Sequence, residues 1–129
     1  MAGEVHPLTL LVVDDEADML ENLARILRRN RYTVLTAASG QAALALLERA
    51  APDLIVTDLR MPGIDGLALL RHARRHVPRA PVVIITAYAS DVAAQQAREA
   101  GAAAFLTKPF TARELLVTIE HAMGATPGS

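Results

Sequence analysis

The chain has 129 residues, of which 52% are hydrophobic and 21% charged, and its formal net charge is −1 at pH 7. This describes one globular domain able to bury a single core, with no global charge to attract nucleic acid or an acidic membrane surface. The absence of cysteine excludes disulfides, thiolate chemistry and Cys-ligated zinc, and no apolar run approaches the ~20 residues that span a bilayer.

Residues 1–7 form a short leader without the basic start and apolar stretch of a signal peptide, so a cytoplasmic location is expected. Residues 8–13 are an apolar run that ends in Asp14-Asp15 and predicts the first strand. Glu16 and Asp18 place negative charge in the first turn of the following helix, where the helix dipole favours it. Leu20, Leu23, Ala24 and Leu27 recur at i, i+3, i+4 and i+7 as one buried helical face, and Arg28, Arg29 and Arg31 crowd its C-terminal end. Residues 32–37, with β-branched Thr33, Val34 and Thr36, predict the second strand. Ser39 is a candidate N-cap for a second helix carrying Ala43, Leu44 and Leu47 and stopped by Pro52.

The third strand lies between Pro52 and the Met61-Pro62-Gly63 turn and ends on one carboxylate, Asp58. A short, continuous apolar run of this kind is the signature of a strand buried on both faces of a parallel sheet. Leu69, Leu70, Ala73 and Val77 mark a third helix closed by Pro78, and residues 82–86 predict a fourth strand ending in Thr86. Ser90 or Asp91 caps an alanine-rich fourth helix, with Gly101 just past its end. Residues 103–106 predict a short fifth strand leading to Lys108-Pro109-Phe110. Thr111 and Glu114 match a capping box before a last helix lined by Leu115, Leu116, Ile119 and Met123. Residues 124–129 are a Gly/Pro/Ser-rich tail, expected to be flexible or a linker cut short. Strands alternating with helices, without repeats or long insertions, predict a doubly wound α/β fold.

In such a fold the residues that follow the strands collect along one edge of the sheet, where ligands bind. Here they are Asp14, Asp15, Asp58, Thr86 and Lys108. If the first and third strands are neighbours, their last side chains lie about 5 Å apart, which gathers the carboxylates. Like charges so close need compensation, and one lysine leaves about two negative charges unmatched. All-oxygen donors without His or Cys select a hard divalent cation, Mg²⁺ before Ca²⁺ or zinc, with Mn²⁺ as the substitute. A metal, a carboxylate, a hydroxyl and an ammonium around one cleft suit phosphoryl transfer, with a carboxylate as acceptor.

The other polar features carry plainer readings. Asp53 and Asp65 are turn formers, and the cluster Arg71, His72, Arg74, Arg75, His76 and Arg79 is a solvated helix face. His6 and His121 have no partner pattern, and no Gly-rich loop followed by Lys-Ser/Thr accompanies the acidic string from Asp15 to Asp18. A flavodoxin-like enzyme or cofactor binder of the same topology is the alternative class. It requires a Ser/Thr/Gly-rich phosphate loop after the first strand, where this chain is acidic.

Four motifs occur in order: Val12-Val13-Asp14-Asp15-Glu16, then Thr57-Asp58 with Met61-Pro62-Gly63-Ile64-Asp65-Gly66, then Ile84-Ile85-Thr86-Ala87, then Lys108-Pro109-Phe110. Together they resemble the receiver domain of bacterial two-component response regulators, over residues 8–123. The resemblance implies a flavodoxin-like, five-stranded parallel sheet of order 2-1-3-4-5 with helices on both faces. It makes Asp58 the phosphoacceptor, loaded by a histidine kinase or phosphotransfer protein. Asp14, Asp15, Asp58 and the backbone carbonyl of Arg60 become the metal site, with Asp15 the more direct ligand of the acidic pair. Lys108 and Thr86 contact the phosphoryl group, and the Lys108-Pro109 bond is cis.

Thr86 and Phe105 match the family's switch pair, acting on the surface of the fourth helix, fifth strand and fifth helix. That surface serves a homodimer or an output domain. Phe105 lacks the hydroxyl of the Tyr found in many receivers, so switching would act by packing alone. Arg60 and Tyr88 occupy variable positions beside the path of the attacking water and are expected to prolong the phosphoryl lifetime. Such a protein is a signalling switch that catalyses only its own phosphorylation and dephosphorylation, with no direct role for nucleic acid or membrane. The start of the chain lies near a receiver's natural start, which suggests a free-standing regulator or the N-terminal part of a longer one.

Overall fold

The structure, a computed structural model, describes residues 7–124. Five strands, β1 (Thr9–Val13), β2 (Thr33–Ala37), β3 (Leu54–Asp58), β4 (Val82–Thr86) and β5 (Ala104–Thr107), alternate with five helices. The helices are α1 (Ala17–Arg29), α2 (Gly40–Leu47), α3 (Gly66–His76), α4 (Asp91–Glu99) and α5 (Ala112–Gly124). All pairings are parallel, in the order β2-β1-β3-β4-β5, which is the expected order.

Side chains alternate across the sheet and build two cores. Leu10, Val12, Leu54, Val56, Val83 and Ile85 pack under α1 and α5, against Leu23, Leu27, Leu115 and Ile119. On the other face Leu11, Val13, Ile55, Val82 and Ile84 pack against Leu69, Leu70 and Ala73 of α3, with Ala43 of α2 and Ala97 of α4. Burial on both faces is why the strands read as unbroken apolar runs.

The helix starts follow local hydrogen bonding. Ser39, Asp65 and Ser90 are N-caps that accept from Ala42, Ala68 and Ala93 N–H at 3.0, 2.9 and 3.0 Å. The capping box is reciprocal: Thr111 N–H donates to Glu114 Oε1 at 2.8 Å and Glu114 N–H to Thr111 Oγ1 at 3.0 Å. Asp65 is thus a helix cap, a narrower role than turn former, and of the two α4 candidates the cap is Ser90. Glu16 precedes α1 as its N-cap residue without a side-chain cap bond.

Some boundaries differ from the sequence pattern. β1 and β2 start one residue later, and β5 runs one residue further, because pairing with β4 extends from Ala104 to Thr107. The second helix ends at Leu47, well before Pro52, and Val77 is the C-cap of α3 (φ −134°), just past the helix but packed against the same core as Leu69, Leu70 and Ala73. α1 closes with Arg31 at φ 72°, its N–H on Arg28 O at 3.1 Å and Tyr32 N–H on Leu27 O at 3.2 Å. That left-handed closure usually takes glycine, as Gly101 does after α4. Residues 1–6 and 125–129, and with them most of the leader, the tail and His6, lie outside the described residues.

Candidate functional site

β1 and β3 are neighbours at the point where strand order reverses, and Val13 lies opposite Thr57. The next residues, Asp14 and Asp58, therefore leave the sheet side by side. Both are buried, at 1% and 8% exposure, whereas Asp15 faces solvent. One ligand atom from each of Asp14, Asp15 and Asp58 lies within 4.8 Å of the others, a donor set suited to one divalent cation.

Lys108 follows β5 and reaches back over the edge. Its Nζ donates to Asp14 Oδ2 and to Asp58 Oδ2, each at 3.1 Å, and lies 3.7 Å from Glu16 Oε1. The Lys108-Pro109 peptide is cis. Asp14 is held on its other oxygen too, since Oδ1 accepts from Glu16 N–H at 2.9 Å. Asp58 Oδ1 takes only a long contact from Arg60 N–H, at 3.4 Å.

Burial raises the Asp58 carboxyl above its ordinary range; Lys108 and the Arg60 N–H pull it down, while Asp14 pushes it up. Burial works against the Lys108 ammonium, but its hydrogen bonds and charge interactions with Asp14 and Asp58 prevail, so its pKa is raised and it stays protonated. One ammonium thus pairs with three carboxylates, those of Asp14, Asp58 and Glu16, while Asp15 adds a fourth negative charge beside Asp14 and Asp58. This shortfall of positive charge is what a divalent cation on the same carboxylates would offset.

Thr86 is fully buried at the end of β4, and its Oγ1 accepts from Tyr88 N–H at 3.0 Å. Phe105 lies opposite Ile84 in the β4–β5 register, so it shares a sheet face with Thr86. Phe105 packs against the core on that face but is only half-buried, because β5 is an edge strand with a neighbour on one side alone. The Arg60 guanidinium stacks over the Tyr88 ring, 4.9 Å from its centroid. This pair borders an open groove of about 690 Å³ that Leu59, Met61, Pro62, Leu67 and Ala93 also line.

The remaining candidates stay apart. Arg71, Arg74, Arg75 and Arg79 are exposed on or just after α3, and the His72 and His76 rings meet edge to face at 4.1 Å. Burial, His76 and Arg75 lower the His72 pKa. Asp53 accepts from Thr9 N–H at 2.7 Å, at the opposite edge of the sheet. The Thr57-Asp58 motif gave Thr57 no role of its own, and only the structure shows its buried hydroxyl donating to the Asp58 carbonyl at 2.9 Å. Among the described residues no helix is long and apolar enough to cross a membrane.

Residues 10–120 match the response regulator receiver domain. The chain is 40% identical over 121 residues to the response regulator protein FleR of Pseudomonas aeruginosa, covering 93% of this chain and 26% of that protein. To the transcriptional regulatory protein PdtaR of Mycobacterium tuberculosis it is 38% identical over 124 residues, or 95% of this chain and 60% of the relative. Among solved structures, a CheY-like receiver domain protein from Methanospirillum hungatei superposes with a TM-score of 0.88 at 30% identity, covering 92% of this chain and 95% of the other. The chemotaxis protein CheY4 of Vibrio cholerae gives 0.86 at 29% identity, covering 91% and 99%. With its sheet order, acidic edge and sequence matches in agreement, the chain belongs to the response regulator receiver domains, the phosphoacceptor modules of two-component signalling.

Proposed function

We propose that Asp58 accepts a phosphoryl group from a histidine kinase or phosphotransfer protein, and that this loading switches the α4-β5-α5 face. The observation that carries the reading is the position of Lys108 Nζ, 3.1 Å from both Asp14 and Asp58 at the switch point of the sheet. An Asp58 carboxylate oxygen attacks the phosphorus of a phosphohistidine; the P–N bond breaks, and the imidazole nitrogen leaves with the electron pair and takes a proton. Lys108 is already protonated there and donates to the phosphoryl oxygens that gain charge, and Thr86 supplies a further hydroxyl.

The carboxylate donor set fits Mg²⁺, with Mn²⁺ as substitute, held by Asp15, Asp58 and the Arg60 carbonyl, and by Asp14 from further back, since both of its oxygens are already engaged. When bound, the cation supplies charge neutralisation at the phosphoryl oxygens. For Thr86 to reach the phosphoryl group, its bond from Tyr88 N–H must break, which frees space on the face it shares with half-buried Phe105. The altered α4-β5-α5 surface would then bind a second copy or an output domain. The stacked Arg60 and Tyr88 side chains restrict the approach of water to the acyl phosphate.

The test is uptake of label from acetyl phosphate with Mg²⁺: uptake by the intact chain, and none by Asp58→Asn. Once loaded, the chain should lose label over minutes at neutral pH, and several-fold faster after Arg60→Ala or Tyr88→Ala. Unchanged decay in both variants would remove the shielding role and leave the acceptor role standing.

A further inference from the structure

We infer that Thr57, Gly40 and Gly66 are positioning residues that hold the 59–65 loop and the Asp58 peptide in the one arrangement that lets the Arg60 carbonyl join the metal site. The inference deepens the proposed function and rests on its metal site.

Side chains anchor the 59–65 loop in part: Met61 is buried, Leu59 packs against the core and Asp65 caps α3, while Arg60, Pro62 and Gly63 are exposed. Backbone packing at both ends completes its placement. At the far end Gly66 starts α3 against the phosphoacceptor itself: a Cβ there would overlap the Asp58 carbonyl oxygen and lie 2.8 Å from Leu59 Cα. That close approach lets Gly66 N–H donate to Leu59 O at 2.8 Å, closing the loop into a ring.

Beside the loop, Gly40 starts α2 against Ile64. A Cβ on Gly40 would overlap the Ile64 carbonyl oxygen and approach Ile64 Cβ to 2.8 Å. Neither helix start can retreat, because Ser39 and Asp65 cap them and Ala43 and Leu69 lock them into the same core.

Thr57 completes the arrangement from within β3. Its hydroxyl, fully buried, donates at 2.9 Å to the Asp58 carbonyl against which Gly66 packs. The Asp58 peptide is therefore fixed from two sides, and the peptide of Arg60 follows two residues later. Mg²⁺ requires near-ideal octahedral geometry, so a carbonyl ligand on a displaced loop is lost to it. Groups that orient ligands without touching the ion commonly change metal affinity about 10–100-fold when removed.

The experiment is calorimetric titration of the full chain with Mg²⁺, paired with thermal melting. Gly40→Ala should weaken binding about tenfold or more. Thr57→Val keeps the side-chain shape, and should weaken binding several-fold while Thr57→Ser restores it. Ala24→Gly, in α1 on the opposite sheet face, should lower the melting temperature and leave Mg²⁺ affinity unchanged. If Gly40→Ala does not fold, the Thr57 pair decides. Binding within twofold of wild type in every folded Gly40 and Thr57 variant overturns the inference, as does an equal loss in Ala24→Gly. A wild-type chain that binds no Mg²⁺ removes the metal site and the positioning role with it, whereas wild-type binding with unaffected variants removes the positioning role alone.

Discussion

Strand β3 runs between two aspartates that the structure treats in opposite ways. Asp53, just before the strand, is exposed, and its carboxylate closes a gap by accepting Thr9 N–H at 2.7 Å. Asp58, at its end, is 8% exposed and meets a lysine 50 residues away in sequence. The basic groups follow the same division. At the Asp53 edge, Arg28 and Arg74 donate to the carbonyls of Val34 and Pro78 at 3.3 and 2.9 Å, where each charge serves the backbone beside it. At the Asp58 edge, one ammonium is shared among carboxylates that crowd one another. Charges placed where the backbone satisfies them hold the fold; charges gathered beyond what their surroundings satisfy are held ready for a ligand.

Exchanging the two aspartates in turn is the sharpest way to break that comparison. Asp58→Asn should abolish phosphoryl uptake from acetyl phosphate, and Asp53→Asn should leave it at the wild-type level. Label retained by Asp58→Asn would move the acceptor elsewhere. Next in size is Lys108→Ala, which removes the donor to developing phosphoryl charge and should slow uptake about 10²-fold. The rate measured at saturating Mg²⁺ separates this from any change in metal affinity; an unchanged rate would reduce Lys108 to a structural counterion. On the other edge Asp53→Ala leaves Thr9 N–H to water and should cost about 1 kcal/mol in urea unfolding, without effect on uptake. A loss of uptake there would erase the contrast between the two ends.

The contrast was largely legible in the residues, for a physical reason. A strand buried on both faces is apolar along nearly all its length, so a polar residue at its end marks the functional edge, and Asp14, Asp58 and Thr86 stood out in this way. The lysine was legible as a member of that edge; its two 3.1 Å bonds were not, because they join residues 94 and 50 positions apart. Thr57 stayed hidden because a β-branched threonine is an ordinary strand residue until its hydroxyl is seen on the Asp58 carbonyl. The half-exposure of Phe105 depends on β5 having one neighbour, which sheet order decides and local pattern does not. Arg31 carries a left-handed φ of 72° at a position where composition offers no glycine to announce it.

The smallest expected effect tests whether Asp58 is held at a cost. Burial raises its carboxyl pKa despite the pull of Lys108. A carboxyl raised on folding binds its proton more tightly in the folded chain than in the unfolded one. Its contribution to stability is therefore complete below the ordinary aspartate range and disappears as pH climbs through the raised folded value. At pH 7 the chain folds around an ionised, buried group that it would hold more easily if protonated. Asp58→Asn removes that titration and keeps the shape. The variant should gain on the wild type as pH rises, so that the melting-temperature difference, variant minus wild type, is larger at pH 7 than at pH 4. Adding Mg²⁺ at pH 7 should narrow the gap again by stabilising the wild type through binding. A difference that stays flat or shrinks with rising pH would mean that the Lys108 ammonium outweighs burial at Asp58. The two ends of β3 would then both be satisfied, and the readiness of the upper one would have to come from its metal alone.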